Sequence, residues 1–320
     1  MLSIQMNQVG EPDVLKLTNL SLPSIGENDV AIQLSFAGVN PADSYIRQGG
    51  YKFFSPTLPY TPGFDGAGII TETGENVTHF KPGDRVFVAA TLAPYHTGTY
   101  AEQMICHVDG VRHLPQQVSF EEGASLGIPG TAAFRALYQR GNLQKEDVVL
   151  IHGASGGVGT LALQMAKQTG AFVIGTAGTK EGMAKVKQNG ADLVFNHNED
   201  HYLDKIPPVD LVLEMLANVN LEKDLELINR YGRIVVIGNR GSLDFNPRLA
   251  MEKEADILGM AVWNASEADY LNSLNAIEKL LANGVLKPEI GAIYPLSKAA
   301  QAQYDSLHTS GIGKVLLKMD

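Results

Sequence analysis

The chain has 320 residues, 44% of them hydrophobic and 19% charged, with a formal net charge of −10. That length exceeds one small core and points to two domains, and the acidic balance argues against a general nucleic-acid or anionic-membrane surface. The single Cys106 excludes an internal disulfide framework and a multi-cysteine zinc lobe.

Residues 1 to about 120 read as short strands broken at Asn28-Asp29, Gly38, Gly49-Gly50, Pro82-Gly83 and Asp109-Gly110. Val30 to Phe36 alternates apolar and polar residues, the pattern of a half-buried strand, and 66–71 and 84–90 read as further strands. With few helical periods present, residues 1–121 are expected to form a rolled, β-barrel-like domain. No N-terminal stretch combines a basic flank, an apolar run and a small-residue cleavage site. No window approaches the ~20 apolar residues of a membrane helix. The expected location is the cytoplasm, with no membrane partner.

Strands and helices alternate across the next segment, 122–262, which is expected to be a doubly wound parallel sheet. Its opening is Val148-Val149-Leu150-Ile151 followed by His152-Gly153-Ala154-Ser155-Gly156-Gly157-Val158-Gly159. An aliphatic run suits a strand buried on both faces. Gly156 and Gly157 let backbone approach a pyrophosphate, and the helix beginning after them offers free N–H groups to the anion. Gly159 allows close packing of helix on strand. Ala154 stands where the first glycine of the dinucleotide fingerprint would be, so the turn alone is a weak signal and the flanking strand and helix carry it. Further strands are expected near 171–176, 192–195, 209–214, 233–238 and 256–262, with a helix over 221–229. A long helix over 265–283, a strand near 290–294, a helix from Ser297 and a last strand over 314–318 follow. This tail, 263–320, is expected to rejoin the first domain.

A ribose 2′-hydroxyl partner would be a carboxylate ~20 positions after the glycine turn. That position here is Gly175-Thr176-Ala177-Gly178, and the first carboxylate is Glu181. Small residues leave room for a 2′-phosphate, and Gly178, Thr179 and Lys180 supply N–H, hydroxyl and charge. Lys180 reads equally well as a solvated lysine at a helix start.

The blocks Gly38-Val39-Asn40-Pro41, Tyr45-Ile46-Arg47, Pro59-Tyr60-Thr61-Pro62-Gly63, His152 to Gly159, Gly175 to Thr179, Phe195-Asn196-His197, Leu213 to Asn220, Asn246-Pro247-Arg248, Leu286-Lys287-Pro288 and Tyr294-Pro295-Leu296 run collinearly through most of the chain. In them the chain resembles the medium-chain dehydrogenase/reductase superfamily, and within it the zinc-independent, zeta-crystallin-like quinone reductases. The resemblance implies a GroES-like catalytic domain, a Rossmann domain, NADPH and quinone-type acceptors. It implies cofactor contacts at Tyr45, Ser155, Gly156, Gly157, Val158, Gly178, Lys180, His197, Asn220, Ile237, Gly238, Asn239, Arg240, Met260, Ala261 and Val262. Tyr45 is implied to lie beside the nicotinamide and Tyr51 to line the acceptor pocket.

Zinc-dependent relatives carry a histidine in the block that here reads Gly63-Phe64-Asp65, and Phe64 cannot ligate a metal. Tetrahedral zinc wants thiolate, imidazole or carboxylate donors. Asn40, Asp43 and the lone Cys106 do not supply enough of them, so no metal site is expected. Reduction without a Lewis acid points to conjugated carbonyls, and a donor near the developing oxygen charge would help. Asn40, Tyr45 and Tyr51 are the catalytic candidates, although Asn40 before Pro41 also suits a turn and Tyr45 an ordinary core position.

The reading is a zinc-independent, NADPH-dependent quinone oxidoreductase acting on a small quinone or enone. The alternatives are an enoyl-thioester or enone reductase on the same cleft, and an RNA-binding or structural crystallin-like protein, against which the acidic balance and the intact glycine turn argue. An apolar strand over 256–262 at the sheet edge points to a homodimer through the cofactor domains, or a tetramer built from such dimers.

Overall fold

The computed structural model describes residues 1–309 and 311–319. The chain opens with an antiparallel ribbon of β1 (Leu2–Gln5) and β2 (Lys16–Asn19), then the long strand β3 (Asp29–Val39). Pro41 at the first helical position breaks the strand pattern and starts α1 (Pro41–Arg47). Strands β4 (Asp65–Thr73), β5 (Arg85–Ala89), β6 (Gln103–His107) and β7 (Val111–His113) follow, then α2 (Phe120–Gly123) and α3 (Gly127–Phe134).

The parallel sheet comes next. Its elements are β8 (Val148–Ile151), α4 (Gly157–Thr169), β9 (Phe172–Ala177), α5 (Lys180–Gln188), β10 (Leu193–Asn196), β11 (Val209–Glu214), α6 (Ala217–Leu227), β12 (Ile228–Val236), α7 (Arg248–Lys253) and β13 (Asp256–Gly259). The tail supplies α8 (Glu267–Ala282), β14 (Ile290–Pro295), α9 (Ala299–His308) and β15 (Lys314–Lys318).

These elements form two compact units, Met1–Thr131 with the chain from Trp263 onward, and Ala132–Val262. The first unit runs past the expected break at 121 because its next residues are fixed within it. A Cβ at Gly123 would meet the Ala67 and Leu114 side chains, and the Ile128 N–H donates to Asp65 at 2.8 Å. Its sheet is ordered β14-β15-β3-β4-β5-β7, with β6 also pairing with β3. The alternation in β3 predicted half-burial, but only Gln33 and Ser35 escape full burial. The strand is paired on both edges, and α2 and α9 pack against it.

The second unit is a parallel sheet in the order β10-β9-β8-β11-β12-β13. Val149, Leu150 and Ile151 are fully buried, as a strand covered on both faces requires. Leu150, Ile174, Val212, Leu225 and Ile234 form part of its core. β13 is the sheet's edge and is shorter than expected: it stops at Gly259, with Met260 to Val262 beyond it.

Candidate active site and cofactor cradle

In the second unit β8 and β11 are neighbours while their following connections lead to opposite ends of the sheet. Dinucleotides bind at such a reversal, outside the carboxyl ends of the strands. The turn after β8 lies at this reversal. Gly153 adopts a φ of +58°, a conformation glycine takes without penalty. Gly156 is the N-cap of α4, and among the described residues no side chain caps that helix. Its first N–H groups therefore remain available to an anion. A Cβ at Gly159 would lie 2.4 Å from the Gly153 carbonyl oxygen and 2.6 Å from Ala154 Cα, so glycine seals helix against turn. A Cβ at Gly156 would meet nothing nearer than 3.4 Å, so that backbone faces open space.

The end of β9 gathers a second group. A Cβ at Gly178 would lie 2.6 Å from His197 Nε2, and Asn198 Nδ2 donates to the Gly178 carbonyl at 2.9 Å. Thr179 Oγ1 accepts the Gly182 N–H at 3.0 Å and so caps α5, and a Cβ at Gly182 would lie 3.2 Å from Ser155 Oγ. Ser155, Gly178 and His197 thus border one corner, and Lys180 is exposed at the start of α5. Across the sheet, Asn218 N–H donates to Asn239 Oδ1 at 3.1 Å and Arg240 N–H to Asn218 Oδ1 at 2.9 Å. A Cβ at Gly238 would strike the Met215 carbonyl oxygen at 2.2 Å. These contacts lace the start of α6, which carries Asn220, to the loop of Ile237–Arg240. Met260 and Val262 are buried, and Ala261 is half-buried between them.

Sequence reasoning missed a buried cluster under this cradle. His152 Nε2 lies 2.8 Å from Asp224 Oδ1 and 3.4 Å from Glu214 Oε2. It is the one group of three His, Cys, Asp or Glu side chains with atoms within 4.8 Å of one another among the described residues. The three groups are already joined as an imidazole hydrogen-bonded to carboxylate. Only tertiary structure shows this, because the three residues come from the end of β8, from β11 and from α6, far apart in sequence.

In the first unit, Asn40 precedes α1 and its backbone N–H donates to Asp43 Oδ2 at 2.9 Å. Its amide is committed as well: Nδ2 donates to Asp65 Oδ2 at 2.8 Å and Oδ1 accepts from Lys314 Nζ. Asn40 is 2% exposed. It is a buried link that anchors the start of α1. The same network contains Tyr100, whose hydroxyl donates to Asp43 at 2.8 Å. Burial pushes the Asp43 carboxyl up to about 7, against the Asn40 N–H and the Tyr100 hydroxyl. Burial lowers Lys314, against the attraction of Asp65 and Asp43.

Tyr45 and Tyr51 do come together, their rings stacked at 6.2 Å and 23°. Tyr51 meets Trp263 edge-on at 5.0 Å, and Trp263 meets Phe64 at 5.5 Å. Burial, then Asp43 and Tyr45, raise the Tyr51 phenol, which keeps it protonated. Tyr60 and Trp263 join this aromatic floor, and Trp263 Nε1 and the Tyr60 hydroxyl are buried donors with no partner among the described residues.

A catalytic zinc does not fit these residues. Phe64 is 0% exposed in the aromatic core, and the Lys314 ammonium already stands between Asn40 and Asp65. A second cation there would meet repulsion and too few free donors.

The chain matches the alcohol dehydrogenase GroES-like domain family over residues 26–145 and the zinc-binding dehydrogenase family over 157–279. It is 44% identical to the quinone oxidoreductase of Sus scrofa over 99% of this chain and 97% of that protein. Identity to the quinone oxidoreductase of Homo sapiens is 42% with the same coverage. The solved structure of the Coxiella burnetii quinone oxidoreductase is 32% identical, with a TM-score of 0.83 over 100% of this chain and 99% of that one. The Escherichia coli quinone oxidoreductase complexed with NADPH is 26% identical, with a TM-score of 0.85 over 99% of this chain and 100% of that one. No helix among the described residues is long and apolar enough to cross a membrane.

Proposed function

The chain belongs to the quinone oxidoreductase branch of the medium-chain dehydrogenases and reductases, and from that premise we propose that it reduces small quinones with NADPH, without zinc, the second unit holding the cofactor and the Tyr45–Tyr51 floor of the first receiving the acceptor. The observation that carries the cofactor is an uncapped helix start beside a carboxylate-free corner where Gly178 meets His197. The helix N–H groups at Gly156 to Val158 would hold the pyrophosphate. Gly178, His197 and Lys180 would hold the 2′-phosphate, and Asn220, Ile237–Arg240 and Met260–Val262 the remainder. When bound, NADPH supplies the hydride.

The residues of the first unit orient the acceptor. A flat quinone can lie against the stacked tyrosine rings, a packing that adds attraction beyond area burial. The protonated Tyr51 hydroxyl can donate to the oxygen that gains charge. Asn40 positions α1 and so Tyr45, without touching the acceptor. An enone or enoyl thioester could use the same donor, but neither offers an aromatic face to these rings. The acidic balance leaves an RNA-binding or structural role without support.

A homodimer through β13 fits the same reading. β13 is the sheet edge, with Ile257 39% exposed. Pairing two such edges across a two-fold axis would satisfy both. The cytoplasm is the proposed location. Light scattering at micromolar protein checks the dimer, and a monomer mass of 34.4 kDa unchanged on concentration would exclude it.

The functional test is kcat/KM for NADPH oxidation with a panel of quinones, enones and enoyl thioesters, in the wild type and Tyr51→Phe. Quinones are expected to lead, and loss of the hydroxyl to cost about a hundredfold. A thioester ranking first would transfer the assignment to the enoyl reductases.

A further inference from the structure

His152, Glu214 and Asp224 are ionisable side chains in the core of the second unit, where hydride transfer gives them no task. His152 is 3% exposed and the two acids are 0% exposed. Buried charges are costly unless paired and hydrogen-bonded, and here the pairing is incomplete. His152 Nε2 bonds Asp224 Oδ1 at 2.8 Å. Glu214 Oε1 accepts from the Leu216 N–H and, at 3.3 Å, from Asn220 Nδ2. Glu214 Oε2 and Asp224 Oδ2 have no hydrogen-bond partner among the described residues. Ionised carboxylates only accept, so two of them with one imidazolium leave a net negative charge in the core. One oxygen of each carboxyl lies within 4.8 Å of the other and of an imidazole nitrogen. One more proton held between them would neutralise the cluster and satisfy carboxylate oxygens that otherwise lack a donor.

The cluster's place in the fold gives this proton a consequence. β8 and β11 are the neighbours at which the strand order reverses, and His152 and Glu214 stand at their carboxyl ends. His152 directly precedes the glycine turn, and Glu214 holds Leu216, just before α6, and Asn220 in its first turn. A pyrophosphate bound over this point adds negative charge near the acids and favours their protonated form.

We propose that His152, Glu214 and Asp224 form a proton-sharing brace beneath the cofactor cradle, so that the dinucleotide binds tightest with the extra proton in place and otherwise draws it from solvent on binding. The inference deepens the cofactor reading above and rests on it. Burial pushes the Glu214 carboxyl up to about 7, with His152 opposing and Asp224 reinforcing. Burial acts to lower His152, but Asp224 and Glu214 outweigh it and raise the imidazole. The other groups facing the cluster are Lys223, which opposes charge on His152, His197, lowered by burial and by His152, and Tyr202, raised to about 12 by burial, Asp224 and Glu214.

The test is calorimetric titration with NADH in buffers of different ionisation enthalpy, between about pH 6 and pH 9, with proton uptake read from the buffer dependence. NADH is the probe because it lacks the 2′-phosphate, whose own titration would add protons. The wild type is expected to take up a fraction of a proton on binding above about pH 7, with Kd rising about tenfold across the range, the effect of a one-unit shift. In Glu214→Gln, a neutral isostere, the uptake should vanish and Kd change less than about twofold. Asp224→Asn should show the same loss and covers the case in which the first variant does not fold. Uptake equal to wild type in either folded variant, or pH-independent wild-type binding without uptake, would overturn the brace. Absence of any NADH or NADPH binding by the wild type would instead remove the cofactor placement, and the brace with it.

Discussion

Lys314→Met removes the ammonium from the buried network that anchors α1 while keeping a stem of similar volume. Lys314 Nζ lies 3.2 Å from Asp65 Oδ2, the two side chains being 5% and 0% exposed. It also donates to Asn40 Oδ1. In the variant Asp65 keeps the Ile128 N–H and Asn40 Nδ2, both at 2.8 Å, but loses its opposite charge with Asp43 close by. Stranding one member of a buried ion pair costs about 3–5 kcal/mol. At about 2–4 °C per kcal/mol for a unit of this size, the melting temperature should fall by about 6–20 °C. Asp65→Asn removes the stranded charge, so Lys314→Met with Asp65→Asn should recover most of the loss. Differential scanning calorimetry at neutral pH measures both. A single variant within about 1 kcal/mol of wild type, or a double variant no better than the single, would refute the claim that this charge pair holds the network.

Gly159→Ala forces a Cβ against the Gly153 carbonyl oxygen and Ala154 Cα, both backbone. Overpacking of about 1–3 kcal/mol should weaken NADPH binding about 5- to 100-fold by fluorescence titration, and unchanged affinity would contradict the packing role. Asp43 is raised from 3.8 to about 7 by burial, so between those values the native state holds more protons than the unfolded one and stability falls as pH rises. Asp43→Asn should flatten denaturant stability across that window, whereas an unchanged slope would show that other groups set it. NADPH should bind about ten- to hundredfold more tightly than NADH, the worth of one charge-assisted contact. Replacing His197 with Asn should narrow that ratio, and an unaltered ratio would place the 2′-phosphate elsewhere.

The cofactor cradle was legible because its parts are neighbours in sequence. A buried aliphatic strand, a glycine turn and a helix are local patterns, and Gly156 stands at the N-cap of α4 while Gly159 packs it against the turn. The aromatic floor was half legible: Tyr45 and Tyr51 lie close in the chain and stack, but Trp263 reaches Tyr51 only through the returning tail. The polar networks were not legible. Asn40 looked like a turn residue or a donor because its partners are remote in sequence, Lys314 lying 274 residues away. His152 and Asp224 are 72 residues apart, one before a glycine turn and one on a helix of ordinary amphipathic pattern. The length of β13 was overestimated because an apolar run does not mark where ladder pairing stops.

The most direct test follows nicotinamide absorbance when NADPH-loaded, chelator-washed protein is mixed with a quinone, with zinc counted in the same sample by elemental analysis. The account predicts oxidation at the untreated rate with well under one zinc per chain, because Phe64 cannot ligate a metal and the Lys314 ammonium already bonds Asn40 and Asp65. Oxidation that stops on chelation and returns with stoichiometric zinc would contradict it.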